Sequence, residues 1–257
     1  MVTLTYVGGP TTLLDVAGWR VLTDPTFDAP GRTYRFGWGT SSTKTTGPAL
    51  FAGSVVADVV LISHDQHADN LDDAGRELLP GRTVLTTRPA AARLGDGARG
   101  LRAWESTRLT APGRPDLVVT ATPCRHGPPG SRPIVGEVVG FALQWEGQRG
   151  GALWVSGDTV LFPGVRHVAR RIDVGIAVLH LGGVRFPATG PLRYSMTGAD
   201  AVALCRELRP RVVVPVHHEG WSHFAQPREE LQRELADPAM TAAVMWPVPG
   251  EPMALTG

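Results

Sequence analysis

The chain opens with three short runs of alternating apolar and polar character, Val2–Val7, Thr11–Val16 and Trp19–Thr23. Gly8-Gly9-Pro10 and Ala17-Gly18 separate them, so the pattern predicts a meander of strands. Residues 25–50 then lose any strand or helix period. They mix Pro, Gly, Ser and Thr with Tyr34, Phe36 and Trp38, and a segment of this length without structure is usually either functional or disordered. From Val59 onward, short apolar runs alternate with helical periods. Val59–Ile62 and Thr83–Thr87 predict strands; Leu71–Leu79 and Pro89–Leu94 predict helices. Residues 101–156 return to strands, among them Val118–Thr122 and the pair Val135–Trp145 and Ala152–Val155, joined by a Gly-rich turn. A helix over 163–171, a buried strand Val174–Leu179 and a strand Val212–Val216 follow. The amphipathic helix Ala199–Leu208 carries Ala201, Cys205 and Leu208 on one side. A last helix spans Pro227–Leu235, with Pro227 suited to its first turn.

Strands, mixed elements, strands and mixed elements in that order predict an α/β protein of two sheets face to face with helices outside. No linker divides residues 1–257, so one domain is expected. The composition adds exclusions. The net charge is +1, which gives no electrostatic footprint for a nucleic-acid or membrane-surface partner. No apolar run approaches the ~20 residues needed to span a bilayer. The start of the chain lacks the basic and apolar stretches of a signal peptide. Two cysteines, Cys124 and Cys205, make neither a CxxC pair nor a disulfide framework, so a reduced, cytoplasmic protein is expected.

The chemistry lies where the strands end. Four β-type runs each finish in residues that can hold a metal: Ile62 leads into Ser63-His64-Asp65-Gln66-His67-Ala68-Asp69-Asn70, Thr122 into Pro123-Cys124-Arg125-His126, Val155 into Ser156-Gly157-Asp158, and Val216 into His217-His218. Imidazole and carboxylate donors delivered by a rigid sheet suit Zn²⁺, Mn²⁺ or Fe²⁺.

In these residues the chain resembles the metallo-β-lactamase-fold hydrolase superfamily. The branch it is most similar to contains L-ascorbate-6-phosphate lactonase and N-acylphosphatidylethanolamine-hydrolysing phospholipase D. The resemblance runs from Tyr6-Val7-Gly8 and Leu22-Thr23-Asp24-Pro25 to Pro215-Val216-His217 and implies a four-layer αββα sandwich with metals at one edge. The family's first motif is S/T-H-x-H-x-D-H. Here one residue is inserted between the first two His, and Asn70 stands where the third His belongs. His64, His67 and Asp69 align with the family ligands; a gap-free alignment would put Asp65 in the first place instead. His126 and His217 match further ligands, with His218 the alternative to His217, and Asp158 matches the carboxylate that bridges two metals.

The resemblance implies a metal-bound hydroxide attacking an ester, lactone, phosphodiester or amide of a small molecule, with Asp69 orienting the nucleophile. Zn²⁺ is the expected ion, and Asn70 predicts one tight and one weak site. His180 and His223 are read as pocket-lining catalytic candidates against a packing role. Asn70 is expected beside the ligands, Asp24 as a turn residue, Cys124 as a packing residue and His167 as solvated. Lys44, Tyr34, Phe36 and Trp38 are read as a lid or an idle loop. Two rivals remain: an iron or manganese redox enzyme on the same ligands, and a non-hydrolytic protein with a degenerate site.

Overall fold

The computed structural model describes residues 2–95 and 97–256. The first sheet takes strands from both ends of the chain: β1 (Val2–Gly8), β2 (Thr11–Val16), β3 (Trp19–Thr23), β6 (Val59–Leu61), β7 (Thr83–Thr87), β8 (Ala98–Leu101) and β16 (Pro252–Ala254). Its order is β16-β1-β2-β3-β6-β7-β8. A small separate hairpin, β4 (Thr33–Gly37) and β5 (Thr40–Thr43), stands between β3 and β6 in the chain. The second sheet holds β9 (Ser106–Leu109), β10 (Leu117–Pro123), β11 (Val139–Trp145), β12 (Ala152–Val155), β13 (Val174–His180), β14 (Val212–Val216) and β15 (Ala243–Val244), in the order β15-β14-β13-β12-β11-β10-β9. Each sheet is antiparallel at one end and parallel at the other.

Strand alternation explains the layers. Leu4, Leu14, Val21 and Leu61 of the first sheet meet Val119, Phe141, Val155, Val178 and Val214 of the second in one core. The opposite faces bury their own apolar rows, Leu22, Val60 and Ile62 on one side and Trp154, Ala177, Leu179 and Val213 on the other. Helices cover these outer faces: α1 (Asp73–Glu77) and α2 (Arg88–Leu94) in the first half, and α4 (Pro163–Arg166), α5 (Val168–Arg171), α6 (Gly198–Leu208) and α7 (Arg228–Leu235) in the second, while α3 (Arg132–Val135) packs Val135 against Val184, Phe186 and Tyr194. Helix α6 starts on a capping box, with Thr197 accepting from Asp200 N and Asp200 accepting from Thr197 N. It packs Ala201, Leu204 and Cys205 onto the second sheet. The αββα sandwich is therefore present. Among the described residues no helix is long and apolar enough to cross a membrane.

Four local expectations change. Residues 25–50 are not without structure, because β4 and β5 pair there. Its mixed Thr-Ser composition and positive-φ Gly37, Trp38 and Gly39 hide a tight turn from any two-residue period. Residues 132–135 form a helix, so β11 begins at Val139 rather than Val135. The stretch 163–171 divides into α4 and α5 at His167. Pro227 sits outside the first turn of α7, as its N-cap.

The entry to the 25–50 segment is anchored at Asp72. Its carboxylate accepts from Phe27 N, Asp28 N and Gly75 N, each at 2.8 Å, and from Lys44 Nζ at 2.9 Å. Both partners of this ion pair are buried. Removing the acid strands a buried ammonium and three backbone donors, whereas removing the lysine leaves the acid with those donors. Asp72→Ala is therefore expected to lower the unfolding free energy by about 3–5 kcal/mol, and Lys44→Met by less, as read from urea denaturation at neutral pH.

Candidate metal centre

The parallel half of the second sheet sets the site. Val155 of β12 lies beside Val178 of β13, and His180 beside Val216 of β14. The carboxyl ends of three adjacent strands therefore deliver Asp158, His180 and His217 side by side. The turn that carries Asp158 lies close against β11. A Cβ on Gly140 would sit 2.5 Å from Ser156 O, and Gly157 has φ +62, so neither position accepts a side chain without displacement. From the facing sheet, β6 runs into the loop 63–70. Asp24 holds that loop by accepting from Ser63 N at 2.6 Å. Asp24 and His217 both have positive φ, +36° and +54°, and backbone strain of this kind persists only where surrounding contacts enforce it. One such contact is His217 N to Gly9 O at 2.8 Å.

Two groups of donors result. In the first, His64 Nε2 and His126 Nε2 lie 3.0 and 3.2 Å from His67 Nδ1. His126 Nδ1 donates to Tyr194 O at 2.7 Å. A carbonyl only accepts, so Nδ1 carries a proton and Nε2 is the nitrogen turned to His67. Burial, with the neighbouring imidazoles, pushes His64 well below the ordinary histidine range and His67 down to about 4. These are neutral rings pointing nitrogen at nitrogen.

In the second group, Asp69 Oδ2 is 3.2 Å from His223 Nε2 and 3.5 Å from His217 Nε2. Asp158 approaches the same His217 Nε2 at 3.2 Å through Oδ2 and receives His180 Nδ1 on Oδ1 at 2.9 Å. Burial would raise both carboxyls, but His217 and His223 around Asp69, and His217 and His180 around Asp158, hold them well below the usual carboxylate range. Burial likewise opposes a charge on His217, yet Asp158 first and Asp69 next push it up to about 10. Two buried negative charges thus share one imidazolium.

The residues fit a divalent cation. His64, His67 and His126 offer ligand atoms within 4.8 Å of one another, and so do Asp69, His217 and His223. Asp69 Oδ1, Asp158 Oδ2, His217 Nε2 and His223 Nε2 are buried without an aligned hydrogen-bond partner. Each such atom costs about 1–3 kcal/mol if left alone, and a cation answers all of them together.

Other expected residues fall elsewhere. Asp65 does not join either group: Arg93 grips both of its oxygens, at 3.0 and 2.5 Å. The insertion turns Asp65 outward and His64 inward, which corrects the gap-free alignment. His218 points away and packs edge-on to Trp246. Asn70 turns its amide to Ser63 Oγ at 3.3 Å, and Ser63 Oγ is 3.0 Å from His64 Nδ1. His180 is fully buried behind Asp158, 4.0 Å from Asp24, and does not line the cleft. Cys124 bonds Ser156 O at 2.9 Å, and burial raises its thiol well above the ordinary range. His167 is exposed. Lys44 is committed to Asp72 and is no part of a lid. Sequence reading did not single out Ser42 or Tyr194, whose contributions are one hydroxyl and one backbone carbonyl.

Above the donors lies a cleft of about 510 Å³, counted to its open mouth. Phe36, Trp38, Ile134, Val184, Phe186 and Tyr194 wall it, with His67, Asp69 and His126 at its floor. Phe36 comes from the β4–β5 hairpin and lies 4.9 Å from the His67 ring and 5.8 Å from that of His223.

Residues 19–218 match the family model described as beta-lactamase superfamily domain. A UPF0173 metal-dependent hydrolase of Opitutus terrae is 30% identical over 222 residues, 83% of each chain. That of Pelotomaculum thermopropionicum is 27% identical over 213 residues, 79% of this chain and 85% of its own. Among solved structures, isothiocyanate hydrolase from Delia radicum gut bacteria superposes with a TM-score of 0.83 at 20% identity, covering 99% of both chains. The chain belongs to the β-lactamase superfamily and is a metal-dependent hydrolase of the metallo-β-lactamase fold.

Asp24 gives a pH signature. Burial pushes its carboxyl up to about 8, and Asp158 adds to the shift while Ser63 N opposes it. A folded pKa above the unfolded value means stability that is complete below about 4 and is lost as pH rises through 8. In chelator-treated protein, Asp24→Asn should therefore gain in unfolding free energy relative to wild type between pH 5 and pH 9. A difference that stays constant across that range would refute the assignment.

Proposed function

We propose that the protein hydrolyses a small, uncharged substrate with an apolar portion, through an ester, lactone, thioester or comparable electrophilic carbon. The observation that carries this reading is the cleft. Its walls are aromatic and aliphatic, and among the described residues lining it there is no Lys or Arg to neutralise a phosphate. A phosphodiester or phosphorylated sugar would enter such walls at a desolvation cost with no compensating partner. The isothiocyanate hydrolase that shares the fold adds a further neutral electrophile to those worth testing.

A divalent cation at the floor lowers the pKa of a bound water toward neutrality and polarises the bond to be broken. Three imidazoles, His64, His67 and His126, suit Zn²⁺ as the tightly held ion, and Mn²⁺ or Fe²⁺ accept the same donors. The rest falls to the chain. Asp69 Oδ1, buried and unpaired, is the atom placed to take a proton from the attacking water. Asp158 Oδ2, buried without an aligned hydrogen-bond partner, would serve as a further cation ligand, and His180 Nδ1 fixes the orientation of that carboxylate through Oδ1. Phe36, Phe186 and Tyr194 seat the apolar part of the substrate and exclude water, which strengthens the electrostatics at the floor.

The test is a substrate panel on zinc-loaded protein: neutral aryl and alkyl esters, lactones, thioesters and isothiocyanates against phosphodiesters and phosphorylated lactones. Higher kcat/KM for the neutral set supports the reading, and the reverse order overturns it. Asp69→Asn should lower kcat on the best substrate by about 10²–10⁴-fold. Turnover of none of the panel by fully loaded protein would shift the assignment to redox chemistry on the same donors.

A further inference from the structure

We propose that His223 completes a second divalent-cation site with Asp69 and His217, and that Ser42 of the β4–β5 hairpin holds it in place. The inference rests on the metal-dependent reading above and goes beyond it. Asn70 alone predicts a weak second site. Asn70 is fully buried, and its amide nitrogen goes to Ser63, on the side of His64. The place beside Asp69 is taken instead by a ring from 154 positions further along the chain.

The geometry is that of donor atoms converging on one point, all within 4.8 Å of one another, rather than of packed rings. His223 Nε2 and His217 Nε2 approach Asp69 Oδ2 at 3.2 and 3.5 Å. Both nitrogens are buried, and neither makes an aligned hydrogen bond. His223 satisfies one ring nitrogen: its Nδ1 lies 2.5 Å from Ser42 Oγ. Its Nε2 faces Asp69 and His217, and a proton donated from Nδ1 to Ser42 Oγ would leave the Nε2 lone pair directed at them.

The loop that carries His223 is fastened to the hairpin as well as to the segment that follows β13, where Ala225 N and Gln226 N each donate to Gly182 O at 3.0 Å. Ser222 N donates to Thr43 O at 3.0 Å, Thr45 N donates to Gly220 O at 2.8 Å, and Trp221 packs on Tyr34 with ring centroids 5.3 Å apart. Phe36, on the same hairpin, covers His67 and His223. One small element therefore both roofs the cleft and positions a ligand, so filling the second site and ordering the roof favour each other.

The experiment uses full-length protein stripped with a chelator, reloaded with Zn²⁺ and desalted. Bound zinc is counted by elemental analysis, affinities are measured by isothermal titration, and folding is checked by circular dichroism. Wild type should bind two ions and His223→Ala one. His223→Ala combined with Asn70→His should regain the second, because it returns an imidazole to the position next to Asp69. Ser42→Ala should keep both ions at saturation but weaken one by about 10–100-fold, which provides a test should His223→Ala fail to fold. Two ions retained in His223→Ala, one ion in wild type, or an unchanged Ser42→Ala affinity would overturn the proposal and leave the three-histidine site standing. No zinc in wild type would overturn the metal-dependent reading itself.

Discussion

Two buried carboxylates govern this structure. Asp69 and Asp158 are almost wholly removed from water, and both stay ionised against the pull of burial because imidazoles surround them. A buried charge is tolerated only when it is paired and hydrogen-bonded. His217 supplies one positive charge between them, which is not enough for two. The unmatched charge, the bare nitrogens and the unaligned approaches all call for a cation at the same place. His64, His67 and His126 beside them complete a donor set that has little reason to exist otherwise.

Holding such groups together needs a frame that does not relax. The frame is the parallel half of the second sheet, whose three neighbouring strand ends are fixed by ladder hydrogen bonds. Close approach at Gly140 and the tight turn at Gly157 set where Asp158 begins. Asp24 ties the loop of the opposite sheet to the same edge through Ser63 N. The strained backbone at Asp24 and His217 is local and is offset by the large shared core between the sheets. Segments that leave the ends of rigid strands therefore carry most of the donors, while the apolar cleft is walled by the hairpin, α3 and loops, the parts free to differ between related proteins.

Much of this was legible in the residue order. Strand runs ending in His and Asp pointed to a metal edge, and β-branched runs alternating with helical periods pointed to paired sheets covered by helices. These are local signals, because a strand's period and its terminal residues belong to one stretch of chain. The choice between His64 and Asp65 was not local. An inserted residue changes which side chain turns inward, and only the position of Arg93, on another helix, shows that Asp65 faces out.

The sequence by itself determined the sandwich, the edge that carries the chemistry and five of the converging groups: His67, Asp69, His126, Asp158 and His217. Tertiary structure alone decided the rest. His180, read as a pocket residue, lies behind Asp158 because its ring nitrogen is held by that carboxylate and its backbone N by Ser156 Oγ, both at 2.9 Å. His223 reaches Asp69 because its loop is bound to a hairpin with no readable period. Lys44 leaves the cleft for Asp72 because the buried carboxylate there has an unfilled lone pair. Each of these outcomes depends on contacts between residues distant in the chain, and on the requirement that every buried charge find a partner. That requirement acts on the folded ensemble of groups, not on the order in which the residues are written.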